Sequence, residues 1–254
     1  MYKAHFHHSG AMIEEMLFLI QSFNPNIPKE NWINYIIENN ILGKKSRNWI
    51  REIITGSFFP RFVNGKYPNS YAHIKILEEK RADINIIKSL MYYHTVLADE
   101  FMYDFITEWL FERYFSGLLT ISAADVYEFI QNQPPEKFNN PWSDYVKRRL
   151  SRGVMATLRD FGILEGKALK KIATYRLPME AFVYIAFLLK QSTSSGEKLL
   201  NHPDWKLFLL NEKLTERMLL EAHQQNYLNY QAAGAVIRIE FPFQTLEELL
   251  YAIS

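Results

Sequence analysis

The residues most suggestive of chemistry are three arginines in "SDYVKRRLSRGVMATLRDFGILEG", Ser143 to Gly166. At about 100° per residue, Arg148, Arg152 and Arg159 line up along one face of a helix. Val146, Leu150, Val154, Leu158 and Phe161 fall within about 120° of one another on the opposite face. Such a helix buries one stripe and holds a row of guanidinium groups outward, where they suit phosphate oxygens. Arg149 flanks the row. The following segment, "LEGKALKKIATYRL", adds Lys167, Lys170 and Lys171.

A second basic stretch lies upstream in "NWINYIIENNILGKKSRNWIREIITG". It reads as a helix–turn–helix-like unit: on its second helix Trp49, Ile50 and Ile53 gather on one side, and Arg47, Asn48, Arg51 and Thr55 on the other. These residue types bond phosphates and base edges, and Lys44 and Lys45 precede them in the turn. From Gly43 to Lys66 the cations Lys44, Lys45, Arg47, Arg51, Arg61 and Lys66 stand against Glu52 alone, a local sum of +5. From Asp144 to Arg176 the local sum is +6, although the whole chain carries only +1. A polyanion responds to the field within a Debye length, about 8–10 Å, so local asymmetry outweighs the average. Charged residues commonly do no more than coat solvated helix faces. The same pattern in two separate windows favours nucleic acid.

Other candidate chemistry is thin. His5, His7 and His8 in "HFHH" are potential metal ligands, but no acidic or sulfur ligand follows at a recognisable spacing, so no metal is expected. Asp104 and Glu108 share a helical face, the arrangement of paired carboxylates; Asp99 opens the same helix and is explained as its N-cap. The reading of this trio is structural. The chain contains no cysteine, which removes thiol nucleophiles and zinc-thiolate sites and fits a reducing cytoplasm. Phosphate-binding glycine loops, G-x-S-x-G and H-E-x-x-H do not occur. The aromatic band "FMYDFITEWLFERYF" has the spacing of a core rather than of a base-stacking platform. A non-enzymatic protein without cofactors is expected.

The elements that position these residues are mostly helical. Periodicity predicts helices over 10–23, 28–40, 46–62, 70–79, 83–95, 99–115 and 122–133, with Ser46 as an N-cap and Pro60 as the stop of the third. The loop "PPEKFNNP" after Gln133 is the best domain boundary, giving an N-terminal helical domain (1–133) and a C-terminal helical domain (142–254). In the second, the basic helix reads as the recognition helix of a winged-helix module and the lysine-rich segment as its wing. Helices follow over 179–191, 197–200, 203–210 and 214–225. "GAVIRIEFP" alternates as a half-buried strand, and a last helix closes the chain. The expected fold is mainly α, a multi-helix bundle with short β-hairpins in the C-terminal half. The longest apolar run, Met179 to Leu189, is 11 residues, short of the about 20 that cross a bilayer. With no signal-peptide pattern at the start, a soluble cytoplasmic protein is expected.

Taken together, the layout resembles the BrxA proteins of bacteriophage exclusion (BREX) defence systems. The resemblance rests on "NNILGKKSRNWIREIITGSFFPRF", "FITEWLFERYFSG", the segment from Trp142 through "RRLSRG" to "LRDFGIL", and "AGAVIRIEFPFQTLEELLYAI". It covers essentially the whole chain through diffuse motifs. It implies a helical, non-enzymatic accessory protein of phage defence that binds DNA, in a family likened to the RNA-binding factor NusB. Double-stranded DNA is the expected partner, with RNA or docking onto larger BREX proteins as alternatives.

Overall fold

The computed structural model describes residues 1–2, 10–234 and 236–254; His5, His7 and His8 lie outside the described residues. The chain is mainly helical with two small antiparallel sheets. The first helices are α1 (Ile13–Ser22), α2 (Lys29–Glu38) and α3 (Arg47–Glu52), the last continuing as a π-helix (Ile53–Val63). Next come α4 (Ser70–Glu79), α5 (Ile84–Leu97) and α6 (Glu100–Asp104), which passes through a π-helix (Phe105–Leu110) into α7 (Phe111–Phe115). The middle comprises β1 (Thr120–Ile121), α8 (Ala123–Gln131), α9 (Asp144–Asp160), β2 (Leu164–Gly166) and β3 (Lys170–Ile172). The last part is α10 (Met179–Ser192), α11 (Gly196–Leu200), a 3-10 helix (Pro203–Phe208), α12 (Glu212–Gln224), the hairpin β4 (Asn229–Ala233) and β5 (Val236–Glu240), and α13 (Leu246–Ala252).

Short polar side chains start these helices where the sequence places them. Ser46, Asp99 and Ser143 accept hydrogen bonds from the backbone N–H of Trp49, Met102 and Val146, each cap stabilising by about 1 kcal/mol. Ser122 and Asp125 form a reciprocal capping box at α8. Pro60 is not the expected stop. The backbone N–H of Asn64 reaches the carbonyl of Phe59 at 2.8 Å, and the wider π turn carries the proline within the helix, which ends at Val63. The strand β1 also lies upstream of the expected hairpins.

The apolar run of α10 is buried on every side, with Met179 and each residue from Ala181 to Leu189 in the core. A helix that is hydrophobic all round belongs inside, and α10 packs against α5, α11, α12 and α13. Its Tyr184 hydroxyl lies 2.8 Å from His73 Nδ1 and 2.9 Å from His94 Nε2. Burial holds the His73 imidazole down to about 4 and that of His94 to about 3. Both rings are therefore neutral near pH 7, and one hydroxyl can donate to one ring and accept from the other.

Packing is continuous across the 134–141 loop. One hydrophobic core runs from Tyr2 to Ile253, α8 packs on α9, and β1 from before the loop pairs with β3 from after it. Among the described residues the most deeply buried charged group is Asp204. Its Oδ1 accepts the Tyr103 hydroxyl at 2.7 Å, and its Oδ2 accepts the Tyr93 hydroxyl at 2.7 Å and the Lys66 ammonium at 3.2 Å.

Two stability tests follow from these buried groups. Asp204→Ala leaves two tyrosine hydroxyls and a lysine without their acceptor, and denaturant titration should show a loss of about 3 kcal/mol or more. For His94 the folded value lies below the usual one, so its contribution is complete above about pH 6.5 and falls as the unfolded chain takes up a proton that the fold refuses. The stability gap between the native chain and His94→Gln should therefore narrow from about pH 7 to about pH 4.5. A gap independent of pH would show that the ring is not held neutral.

Candidate nucleic-acid interface

The helix α9 is built as its pattern requires. Leu150, Val154 and Leu158 are fully buried and Phe161 nearly so, while Arg148, Arg152 and Arg159 are exposed. Its end is set by Gly162, whose φ of 82° lies in the left-handed region that glycine tolerates. The N–H of Gly162 bonds the carbonyl of Arg159 and that of Ile163 the carbonyl of Leu158, both at 2.9 Å. This paired closure is a Schellman motif, and it turns the chain from the basic helix straight into β2. The strand β3 returns antiparallel to β2, and β1 pairs with the other edge of β3, giving the order β1-β3-β2.

The arginines differ in their neighbours. Arg148 donates to Asp144 Oδ2 at 2.7 Å, and its guanidinium sits 5.0 Å from the Tyr127 ring centre. Arg159 donates to Asp160 Oδ1 at 2.7 Å. Arg149 is half-buried, bonded to the Tyr145 hydroxyl at 3.0 Å and lying over that ring. Arg152, between the two carboxylate-paired arginines, has no partner among the described residues. Exposed ion pairs of this kind are weak and screened by salt, so a phosphate can take the carboxylate's place. On the hairpin Lys167 and Lys171 are exposed. Lys170 is a correction to the sequence reading: it is 6 % exposed. Its ammonium donates to the carbonyls of Lys167 and Gly166. Its place in the strand turns the side chain inward, where it holds the turn rather than a ligand.

The upstream window fares differently. Lys45, Arg47, Asn48, Arg51 and Thr55 are exposed, as their positions on α3 predict. Arg51, however, donates to Glu30 Oε2 at 3.1 Å and Asn34 Oδ1 at 3.0 Å, both on α2. Lys44 pairs with Glu15, and Thr55 Oγ1 donates to its own helix at the Arg51 carbonyl, 2.8 Å away. Arg61 is buried, its guanidinium bonding the carbonyls of Ala11 and Gly10 at 3.0 and 3.1 Å. Burial holds Arg61 down to about 10 and pushes the Asp99 carboxyl up to about 7, against the pull of Arg61. Lys66 serves Asp204. Of the six cations in this window, Lys45 and Arg47 stay uncommitted among the described residues.

Asp104 and Glu108 do converge, but on Lys137, at 2.8 and 3.8 Å, with the Tyr2 hydroxyl on Asp104 at 2.7 Å. Among the described residues no cluster of three or more histidine or acidic side chains could hold a metal ion. No helix among them is long and apolar enough to cross a membrane. The sequence reading missed Tyr127 and Tyr145 as supports for Arg148 and Arg149. The i,i+4 spacing of Tyr145 and Arg149 was the available signal.

The role of Lys170 is directly testable. Lys170→Ala should speed amide hydrogen exchange across residues 164–172 while leaving α9 protected, since only the turn loses its buried donor. Equal protection of the hairpin in both proteins would show that this ammonium does not hold it.

The family model for BrxA matches residues 1–188, a span that contains both basic windows. No curated protein matches the chain.

Proposed function

Starting from the fact that this chain belongs to the BrxA family of BREX phage-defence proteins, we propose that it binds double-stranded DNA through α9 and the β2–β3 hairpin. One observation carries the reading. The exposed face of α9 presents Arg148, Arg152 and Arg159, and the hairpin that follows directly adds Lys167 and Lys171. The local excess of +6 on this stretch already counts Asp144, Asp160 and Glu165, so the neighbouring carboxylates reduce it no further.

The order helix, strand, helix, helix, hairpin, with β1 on β3, is the order of a winged-helix module, and it supports reading α9 as the helix that enters the major groove. The hairpin then lies along the backbone as a wing. Arg47, Lys45 and Asn48 on the helix–turn–helix-like unit make a secondary contact, weakened by the internal pairing of Lys44 and Arg51. The protein acts in the cytoplasm as a non-enzymatic component that places other BREX proteins on DNA.

Each phosphate neutralised releases counterions, so the logarithm of affinity should fall with the logarithm of salt at about −0.9 per contact. Replacing Arg148, Arg152 and Arg159 together by alanine should flatten that slope by about two to three units, measured by gel shift or anisotropy on a duplex across a salt series. A parallel series on RNA separates the RNA alternative. An unchanged slope, with capture of another BREX protein lost in the triple variant, would make the arginine row a protein-docking face instead.

A further inference from the structure

Between Lys167 and Lys171 the hairpin carries a residue that neither phosphate binding nor folding explains. Leu169 is 65 % exposed at the β2–β3 turn, an apolar side chain between the exposed Lys167 and Lys171. The turn that presents it is firmly built. Gly166 has a φ of 101°, and a Cβ there would come 3.0 Å from the Leu169 carbonyl oxygen, so the backbone closes tightly on itself. The inward ammonium of Lys170 binds the carbonyls of Gly166 and Lys167 from below. The registered pair Gly166–Lys170 closes a loop of Lys167, Ala168 and Leu169. A leucine on a mobile loop tip would fold back onto the surface; here the turn keeps it in solvent.

The other hairpin supplies the contrast. Val236 near the tip of β4–β5 is 70 % exposed, but the cation beside it in sequence, Arg238, is paired with Glu240 at 2.7 Å. Tyr145, equally exposed, has its ring covered by the Arg149 guanidinium at 5.4 Å. Leu169 alone among these three combines an unshielded apolar side chain, flanking positive charge and a rigid mount.

We infer that Leu169 is an apolar wedge that enters the minor groove and partly unstacks a base step, bending the duplex towards the major groove. This rests on the double-stranded DNA reading above and adds to it a bent or easily unstacked duplex as the preferred ligand. Apolar wedges of this kind act next to basic residues that grip the flanking phosphates. Pyrimidine–purine steps, which unstack most easily, should be favoured. The lysines pull the hairpin onto the backbone, and the leucine converts that proximity into deformation.

The test uses the full chain and a duplex of about 30 base pairs with a central TA step, labelled at its ends for energy transfer and carrying 2-aminopurine at the step. The native protein should raise energy transfer and 2-aminopurine fluorescence together. Leu169→Ala should bind about five- to tenfold more weakly with an unchanged salt slope, and should lose both signals. Leu169→Phe should retain them. Because the side chain is exposed, neither substitution should move the thermal midpoint appreciably. Bending by Leu169→Ala equal to that of the native chain overturns the wedge while leaving DNA binding intact. So does binding by the native chain without bending, or loss of capture of another BREX protein with bending unchanged. Failure of the native protein to bind any duplex at low salt overturns the DNA reading, and the wedge with it.

Discussion

The burial of Asp204 constrains the whole architecture. A carboxylate removed from water is costly unless its lone pairs are filled, and here the partners come from Lys66, Tyr93 and Tyr103, more than a hundred residues upstream. The four side chains therefore fix the segment after the first π-helix, the middle of α5, α6 and the 3-10 helix at 203–208 to one point. From α6 the chain runs through its π-helix and α7 into β1, which supplies one edge of the sheet that contains the basic hairpin. The π-helix at Phe105–Leu110 packs against the same 3-10 helix. The frame that carries α9 and its hairpin is thus tied to the C-terminal layer through a polar bond set as well as by the hydrophobic core.

The same logic separates the two basic windows. In the upstream one the fold consumes the charge: Lys44 on Glu15, Arg51 on Glu30, Arg61 on backbone carbonyls, Lys66 on Asp204. Each of these partners lies on another segment of the chain. In the downstream one the arginine pairs formed along the helix are local, Asp144 with Arg148 and Asp160 with Arg159. Local acids were already counted in the sequence sum; distant ones were not. Two windows of nearly equal formal charge thereby become unequal surfaces.

This marks what could be read from the chain without its structure. The helices, their serine and aspartate caps, the apolar stripe of α9, its outward arginines and the half-buried alternation of β5 were all legible, because each depends on spacing within a few residues. The continuation of the third helix past Pro60 was not, since a π turn that carries a proline is stabilised by the packing of Phe58, Phe59 and Phe62 in the core rather than by local propensity. Nor was the fate of Lys170. Its neighbours Lys167 and Lys171 look identical in sequence, and only the strand register decides which lysine faces the interior. The partners of Lys44, Arg51 and Lys66 were illegible for the same reason: no window sum contains an acid from a different element.

The arginine row itself has dimensions that narrow its ligand. Arg148 and Arg159 are eleven residues apart, and at about 1.5 Å per residue they span about 16 Å along α9. A small anion touches one of them and must still compete with the carboxylate beside it. A nucleic-acid strand offers a charge about every 3.4 Å of helix axis, so on the proposed reading it would meet the whole row at once and displace Asp144 and Asp160 together. The Tyr127 ring beneath Arg148 and the Schellman closure behind Arg159 hold both ends of the row in place, which reduces the ordering cost on binding. On the proposed reading, self-paired ends and an unpaired Arg152 between them would discriminate by length of the polyanion, a selectivity that a patch of free lysines lacks.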